Sequence, residues 1–272
     1  MRDAETKLFC LLGKPASHSL SPAMHNAGFN ALGLNAVYLA FEPENLGNAV
    51  KGLRELGVKG FNATMPFKVD ILKHLDLVDP IAKKIGAVNT VVNTNGVLKG
   101  YNTDGIGAMR SLKAVTQLHG KNVLLLGAGG AGKAIAFYLR EENAKVTIAD
   151  RDSAKASKLA LVAGAKSVGL NGIKMLEGFD IVINASPSGM KPNTHETPII
   201  VPASLLRKEI IVFDIVYDPL KTRFLREAEL RGCRTINGLE MLLNQGYAAF
   251  KLFTGKEAPK REMRKAVMEN LK

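Results

Sequence analysis

The sequence predicts an α/β fold in two domains, and three observations carry that prediction. Short β-branched or leucine-rich runs alternate with longer segments of helical period. Each pair is punctuated by Gly, Pro or an Asn, Asp or Ser cap. One buried run, Asn122 to Leu126, feeds directly into a glycine-rich hexad. The chain of 272 residues, 46% of them hydrophobic, is long enough to bury one large core or two medium ones, which excludes intrinsic disorder as its main description.

In the first hundred residues the candidate strands are Lys7 to Leu12, Ala36 to Phe41, Gly60 to Ala63, Ala87 to Val92 and Val97 to Lys99, read as members of a parallel sheet. Ser21 followed by Pro22 marks a helix start, with Ser as N-cap and Pro in the first helical position. Pro43 and Pro80 are candidate openings of two further helices. A helix from about Ile106 to Leu118 stops at Gly120, so a new domain begins near residue 105. Within it, strands at Asn122 to Leu126, Lys145 to Ala149, Ile181 to Asn184 and Ile210 to Asp214 are separated by helix-like segments, as a doubly wound sheet requires. After Asn237-Gly238 the pattern is helical to the end, with Leu239, Leu242, Leu243, Tyr247, Phe250 and Leu252 as an apolar stripe. Those helices have no strand of their own and are expected to pack back onto the first domain.

Charge and composition narrow the function classes. The 37 basic and 25 acidic side chains leave a net charge of +12, but the basic residues are scattered and no zinc-finger, RNP or basic-region pattern accompanies them. A nucleic-acid partner is therefore not expected, and the surplus suits a small anionic substrate. No apolar run approaches the roughly 18 residues of a membrane span, and the charged start of the chain is not a secretory signal, so a cytoplasmic protein without a membrane partner is expected. The two cysteines, Cys10 and Cys233, lie far apart in apolar runs and read as buried thiols. No CxxC, HExxH or His/Cys cluster points to a metal.

The hexad Gly127-Ala128-Gly129-Gly130-Ala131-Gly132 matches GxGxxG between a strand and a helix expected to begin near Ala131. Gly127 permits the tight turn, Gly129 lets the backbone approach a pyrophosphate, and Gly132 allows close helix packing, while the helix N-terminus offers unpaired N–H groups to an anion. This is the signature of a Rossmann-type dinucleotide-binding domain. At the end of the next strand stand Asp150 and Arg151, near the spacing of about 20 residues at which such sites read the adenosine ribose. They point different ways: Asp150 suits a free 2′-hydroxyl, whereas Arg151 suits a 2′-phosphate.

The first domain carries short polar motifs around its strands. Ser19 and Ser21 lie on a loop at the carboxyl end of the first strand, beside a helix N-terminus, a setting for a carboxylate. Asn62 to Lys68, Gly86 to Thr90 and Gly100 to Gly105 each place small polar groups past an apolar strand, so three such ends at one sheet edge would form a cleft suited to a polyol.

Together these segments resemble the shikimate dehydrogenase family across nearly the whole chain. The matching motifs are SxSPxxHN at Ser19 to Asn26, NxTxPxK at Asn62 to Lys68, GAVNT at Gly86 to Thr90 and NTDG at Asn102 to Gly105. In the second domain they are the glycine loop, Asn184 to Met190, Asp214 to Pro219 and Gly238 to Gln245. The resemblance implies an N-terminal α/β substrate-binding domain (residues 1–105 with 239–272) and a Rossmann NADP-binding domain (106–238). It implies that Ser19, Ser21, Thr64, Asn89, Asp104, Tyr217 and Gln245 contact shikimate or its 3-oxo form, with Lys68 and Asp104 at the reacting carbon. By the same resemblance Gly127, Ala128, Gly129, Gly130 and Ala131 cradle the pyrophosphate, Asp150 and Arg151 face the adenosine end, and Met190 and Gly238 lie near the nicotinamide. The family more often has Asn at the position of Asp150, which keeps NAD open as a second cofactor beside NADP.

The activity implied is the reversible NADP-dependent reduction of 3-dehydroshikimate to shikimate in aromatic amino-acid (chorismate) biosynthesis, by a monomer or homodimer. Two alternatives stand beside it: a quinate/shikimate dehydrogenase with NAD or dual cofactor use, and a non-catalytic dinucleotide-binding regulator. Ketone reduction by a nicotinamide needs a hydride on one face and a proton for the developing alkoxide. Lys68 is the natural proton donor, and a neighbouring Asp104 carboxylate would favour its charged form. His18 and His25, which flank the serine loop, are read as structural, because no nucleophile or acyl site accompanies them.

Overall fold

The structure is a computed structural model that describes residues 3–170, 176–198 and 206–271. Its chain forms two compact units, one comprising residues up to Thr103 together with Gln245 onward, the other Asp104–Asn244. Local packing explains why the division falls there. Gly105 is covered by the Tyr138 ring, 2.1 Å from where a Cβ would stand, and Gly238 lies equally close to the Ile215 carbonyl oxygen, so both glycines belong to the second unit.

The first unit is built on strands β1 (Lys7–Leu12), β2 (Ala36–Phe41), β3 (Gly60–Ala63), β4 (Leu77–Val78), β5 (Thr90–Thr94) and β6 (Val97–Tyr101), in the order β2-β1-β3-β5-β6-β4. The expected parallel sheet is only partly realised. β1, β2 and β3 run parallel, but β5 is antiparallel to both β3 and β6. The two-residue turn Asn95-Gly96, both with positive φ, makes β5 and β6 a hairpin, and a hairpin cannot be parallel. β5 also starts at Thr90 rather than Ala87.

Helices α1 (Ser21–Ala31), α2 (Leu46–Glu55) and α3 (Pro80–Ile85) complete the first part of the chain. Pro80 opens α3 behind an Asp79 cap, as expected, whereas α2 is capped by Asn45 and Pro43 lies outside it. Ser21 is not the N-cap of α1. The cap position is Leu20, whose side chain offers no acceptor, and the oxygen that meets the first helical N–H is Ser19 Oγ, at 3.3 Å from Ser21 N. One sheet face buries Cys10, Leu12, Val50, Leu53, Phe61, Ile71, Val88 and Leu98. Gln245 onward contributes the end of α8 (Gly238–Thr254) and α9 (Lys260–Asn270), which close on α1. At Gly28 a Cβ would stand 2.6 Å from Phe250 and 3.1 Å from Met263, so only glycine permits this approach.

The second unit carries α4 (Asp104–Lys113), α5 (Gly130–Glu141), α6 (Ser153–Ala163), α7 (Arg223–Leu230) and six parallel strands. These are β7 (Asn122–Leu126), β8 (Lys145–Asp150), β9 (Lys166–Gly169), β10 (Ile181–Asn184), β11 (Ile211–Asp214) and β12 (Arg234–Ile236), ordered β12-β11-β10-β7-β8-β9. The chain winds outward in both directions from β7, so the switch point lies between β7 and β10. Alternation divides each strand between two cores. Val123, Leu125, Ile148, Ile183 and Phe213 serve one face, and Leu124, Leu126, Ala149, Val182 and Val212 the other, which explains why these strands read as continuous apolar runs. The helix-like segment expected between Asn184 and Ile210 lies in part outside the described residues. Among the described residues no helix is long and apolar enough to cross a membrane.

Candidate active site

Register brings the polar motifs of the first unit to one sheet edge. Leu12 pairs with Ala63, Asn62 with Thr90, and Thr90 with Tyr101, so the residues after β1, after β3, before β5 and after β6 all emerge together. The GAVNT segment was expected past a strand end; it lies at the start of one. Because β5 is antiparallel, its start reaches the same edge that the other strands reach with their ends.

A buried hydrogen-bond network holds this edge. Tyr38 donates to Asn62 Oδ1 at 2.6 Å, and Asn62 Nδ2 donates to Asn89 O and Thr90 Oγ1, each at 2.9 Å. Asn89 Oδ1 accepts from Thr103 N at 2.8 Å, and its amide donates to Thr103 Oγ1 at 2.9 Å and to Gln245 Oε1 at 3.5 Å. Asn89 is thereby held firmly by Thr103, with the Gln245 amide oxygen beside it. The loop bearing Ser19 and Ser21 is held from below by Glu42, whose Oε1 accepts from Ala16 N at 2.6 Å and Ser17 N at 2.9 Å; these donors hold its pKa below the ordinary carboxylate value.

The side chains left at the edge suit a polyhydroxylated ligand. Ser21 is 7% exposed, yet among the described residues its hydroxyl has no protein partner, and the same holds for Thr64 Oγ1. The Thr64 methyl presses where a Cβ of Gly13 would stand, 2.3 Å away, which fixes a glycine opposite it. Lys68 is half-buried, with its carbonyl accepting from Val88 N at 2.8 Å. Asp104, the first residue of α4, is 4% exposed. Of the predicted substrate residues, Ser19, Ser21, Thr64, Lys68, Asn89 and Gln245 belong to the first unit, and Asp104 and Tyr217 to the second.

In the second unit the glycine loop lies at the switch point. Gly127 has φ +113°, and a Cβ there would stand 2.8 Å from the Ala185 carbonyl carbon, so the position tolerates only glycine. A Cβ on Gly132 would lie 2.1 Å from Gly127 O. Gly129, in contrast, faces open space. It caps α5, which begins at Gly130, one residue earlier than expected. A tight turn, an open approach and a helix N-terminus fit the pyrophosphate of a dinucleotide.

Asp150 is committed to this loop. Its Oδ2 accepts from Ala128 N at 2.7 Å and its Oδ1 from Asp152 N at 2.9 Å, so the carboxylate ties the glycine turn to the segment bearing Arg151. Lys133, on α5, carries a pKa lowered by partial burial and then by neighbouring Lys158. Met190 and Tyr217 occupy the loops after β10 and β11, and Gly238 N donates to Val216 O at 3.1 Å. Burial and then neighbouring Asp218 raise the Tyr217 pKa. Sequence reasoning did not single out Glu42 or Thr222, which act through tertiary neighbours outside any motif, and it had Thr103 and Asp214 only as members of motifs, without their buried hydrogen bonds.

A parallel sheet with its glycine loop at the switch point defines a dinucleotide-binding protein of the doubly wound class. Comparison with known proteins is more specific. Residues 11–91 match the family model of the shikimate dehydrogenase substrate binding domain, residues 110–216 that of shikimate / quinate 5-dehydrogenase, and residues 238–268 that of the shikimate 5′-dehydrogenase C-terminal domain. The chain is 50% identical to the shikimate dehydrogenase (NADP(+)) of Thermococcus kodakarensis, with 100% of this chain and 99% of that one covered. Its fold matches a shikimate dehydrogenase crystallised with NADP+ at TM-score 0.94 and 43% identity, covering 100% and 98% of the two chains. It also matches the Thermus thermophilus enzyme in complex with NADP(H) and shikimate at TM-score 0.88 and 40% identity, covering 97% and 100%. The chain belongs to the shikimate dehydrogenase family.

Proposed function

We propose that the chain catalyses the reversible NADP-dependent reduction of 3-dehydroshikimate to shikimate in aromatic amino-acid (chorismate) biosynthesis. The observation that carries this reading is the first unit's sheet edge, where Ser21, Thr64, Asn89 and Gln245 stand around one buried network with Lys68 in the same motif set. Hydroxyls and amides suit the ring hydroxyls and carboxylate of the substrate, and Ser19 and Ser21 lie at the N-terminus of α1, which favours an anion.

In this reading Ser19 and Ser21 bind the carboxylate, while Thr64, Asn89, Tyr217 and Gln245 orient the ring. When bound, NADPH supplies the hydride. Gly127, Ala128, Gly129, Gly130 and Ala131 hold its pyrophosphate, Asp150 and Arg151 its adenosine end, and Met190 and Gly238 flank its nicotinamide. Lys68 delivers the proton that converts the developing alkoxide to the alcohol, and Asp104 hydrogen-bonds the adjacent hydroxyl. In shikimate oxidation the same ammonium must start deprotonated, so the proton travels the opposite way. The reading places the protein in the cytoplasm, as a monomer or homodimer, and the two buried free thiols suit a reducing compartment.

Steady-state kinetics with shikimate and quinate test the substrate, and a quinate kcat/KM equal to that for shikimate would overturn the narrow assignment. Lys68→Met keeps the apolar stem and removes the proton. It should lower kcat by roughly 10²- to 10⁴-fold while shikimate still binds. Near-normal turnover would remove Lys68 from the chemistry.

A further inference from the structure

The loops after β10 and β11 are anchored on a single buried carboxylate. Asp214, the last residue of β11, is fully buried, as are Asn184 at the end of β10 and Thr222 at the start of α7. Asp214 Oδ1 accepts from Asn184 Nδ2 at 2.9 Å and from Val216 N at 3.0 Å, and Oδ2 accepts from Thr222 Oγ1 at 2.7 Å. Asn184 then shapes its own loop: Nδ2 donates to Ser188 O at 3.1 Å, and Oδ1 accepts from Ser186 N at 3.0 Å and Ser186 Oγ at 2.7 Å. Thr222 Oγ1 also caps α7 by accepting from Leu225 N. At their tips the two loops meet again, through Lys191 Nζ and Asp218 Oδ1 at 2.9 Å and through Lys191 N and Asp218 O at 3.3 Å. The loops are tied at root and tip.

We propose that Asp214 is a positioning residue that fixes the Met190-bearing and Tyr217-bearing loops in one relation, and so sets the affinity for the nicotinamide end of the cofactor. This rests on the functional reading only in assigning those loops to nicotinamide and substrate. A buried carboxylate grips donors more strongly when charged than when protonated, because charge-assisted hydrogen bonds are stronger than neutral ones. Protonation on Oδ2 also weakens that oxygen as an acceptor for the Thr222 hydroxyl. Burial pushes the Asp214 pKa up to about 6, against the lowering effect of its three donors. All three donors are neutral. The charged groups on the surrounding segments are engaged elsewhere: Lys191 with Asp218, Lys221 with Glu229, Arg223 with Glu227 at 2.6 Å, and Arg234 of β12 with Val115 O at 3.2 Å. Asp180 and Cys233 lie at the opposite, amino ends of β10 and β12.

Asp214→Asn mimics the protonated state in near-identical volume. Calorimetric NADP+ binding should then show a Kd about tenfold above wild type at pH 8, with the ratio approaching one at pH 5, where wild-type Asp214 is itself protonated. Taking the ratio at each pH cancels the titration of the cofactor's own phosphate. Amide hydrogen exchange, compared at pH 8, should quicken in both loops together. A Kd ratio near one at every pH, or exchange quickened in one loop alone, would overturn the proposal. Thr222→Val, a second variant, removes a donor that favours the charged carboxylate, so the midpoint of the pH dependence should move upward; an unmoved midpoint also overturns it. A wild-type protein that fails to oxidise shikimate with NADP+ would sink the functional reading, while the exchange comparison would still decide whether Asp214 anchors the loops.

Discussion

Each unit buries an ionisable side chain completely, and the two are treated in opposite ways. His25, on α1, lies in an aromatic cluster, stacked on Tyr38 at 4.5 Å between centroids and near Phe29, Phe250 and Phe253. Its Nδ1 has no hydrogen-bond partner, and burial alone depresses its pKa to about 3. Asp214 is as deeply buried but receives three donors, and its pKa is raised only to about 6. Burial disfavours charge in both; what differs is whether the fold supplies groups that stabilise the ion. The first unit keeps the buried network at its edge neutral, with amides, hydroxyls and a phenol whose own pKa burial holds well above the ordinary value. The second keeps a charge inside.

The contrast predicts opposite acid responses. For His25 the folded pKa of about 3 lies below the unfolded value near 6.5, so its contribution is full above the unfolded value and is lost as pH falls from there towards the folded one. The loss should reach about 4 kcal/mol by pH 3. For Asp214 the folded value lies above the unfolded one near 4. Its contribution is therefore full below the unfolded value and declines as pH rises towards 6. His25→Phe should flatten the fall in unfolding free energy between pH 6.5 and 3, whatever its effect at neutral pH. A slope equal to wild type would show that His25 does not carry the acid sensitivity.

How much of this was legible in the sequence differs between the two units for the same reason. The glycine loop and the strands around it were readable because backbone conformation dictates residue type locally, as Gly127 with its positive φ and Gly132 with its backbone contact illustrate; the bonds of Asp150 to Ala128 N and Asp152 N were not. The polar motifs of the first unit were readable as motifs, but not the direction of β5, because a run of apolar residues has the same period whichever way the strand points. Nor does a sequence mark a carboxylate such as Asp214 as buried, or Leu20 rather than Ser21 as the cap position of α1. Those outcomes depend on which distant groups the fold brings within about 3 Å.

A sharper test of the neutral edge is Asn62, whose side chain joins Tyr38, Asn89 and Thr90. Asn62→Leu removes an acceptor from the buried phenol and a donor from two buried oxygens. It should cost about 3 kcal/mol, since each buried polar group left unpaired costs roughly 1–3 kcal/mol and partial rearrangement recovers some of that. Because every group involved is neutral, the cost should be the same at pH 5 and pH 8 by chemical denaturation. A cost that changed across that range would mean the buried network hides a charge, and the contrast between the units would fail.

The smallest expected effect concerns Asp150, where the second unit's use of carboxylates meets cofactor choice. Both oxygens are occupied by backbone N–H groups, Ala128 at 2.7 Å and Asp152 at 2.9 Å. Asp150→Asn leaves one oxygen to accept and turns an NH2 towards the other donor. The glycine loop then loses one hydrogen bond, worth about 1 kcal/mol, and affinity should fall for NADP and NAD alike, because both present the same pyrophosphate to that loop. Removing the negative charge, in contrast, helps only the cofactor with a 2′-phosphate, and at partly solvated distances this is worth about 1 kcal/mol, or roughly fivefold. The NADP-to-NAD ratio of kcat/KM should therefore rise several-fold while kcat/KM for NAD itself falls. Arg151→Ala should lower the ratio, since its guanidinium is the natural partner of that phosphate. If Asp150→Asn depresses both cofactors equally and leaves the ratio unchanged, the carboxylate serves the loop alone, and discrimination between the cofactors must lie with Arg151 and the lysines of α5 and α6.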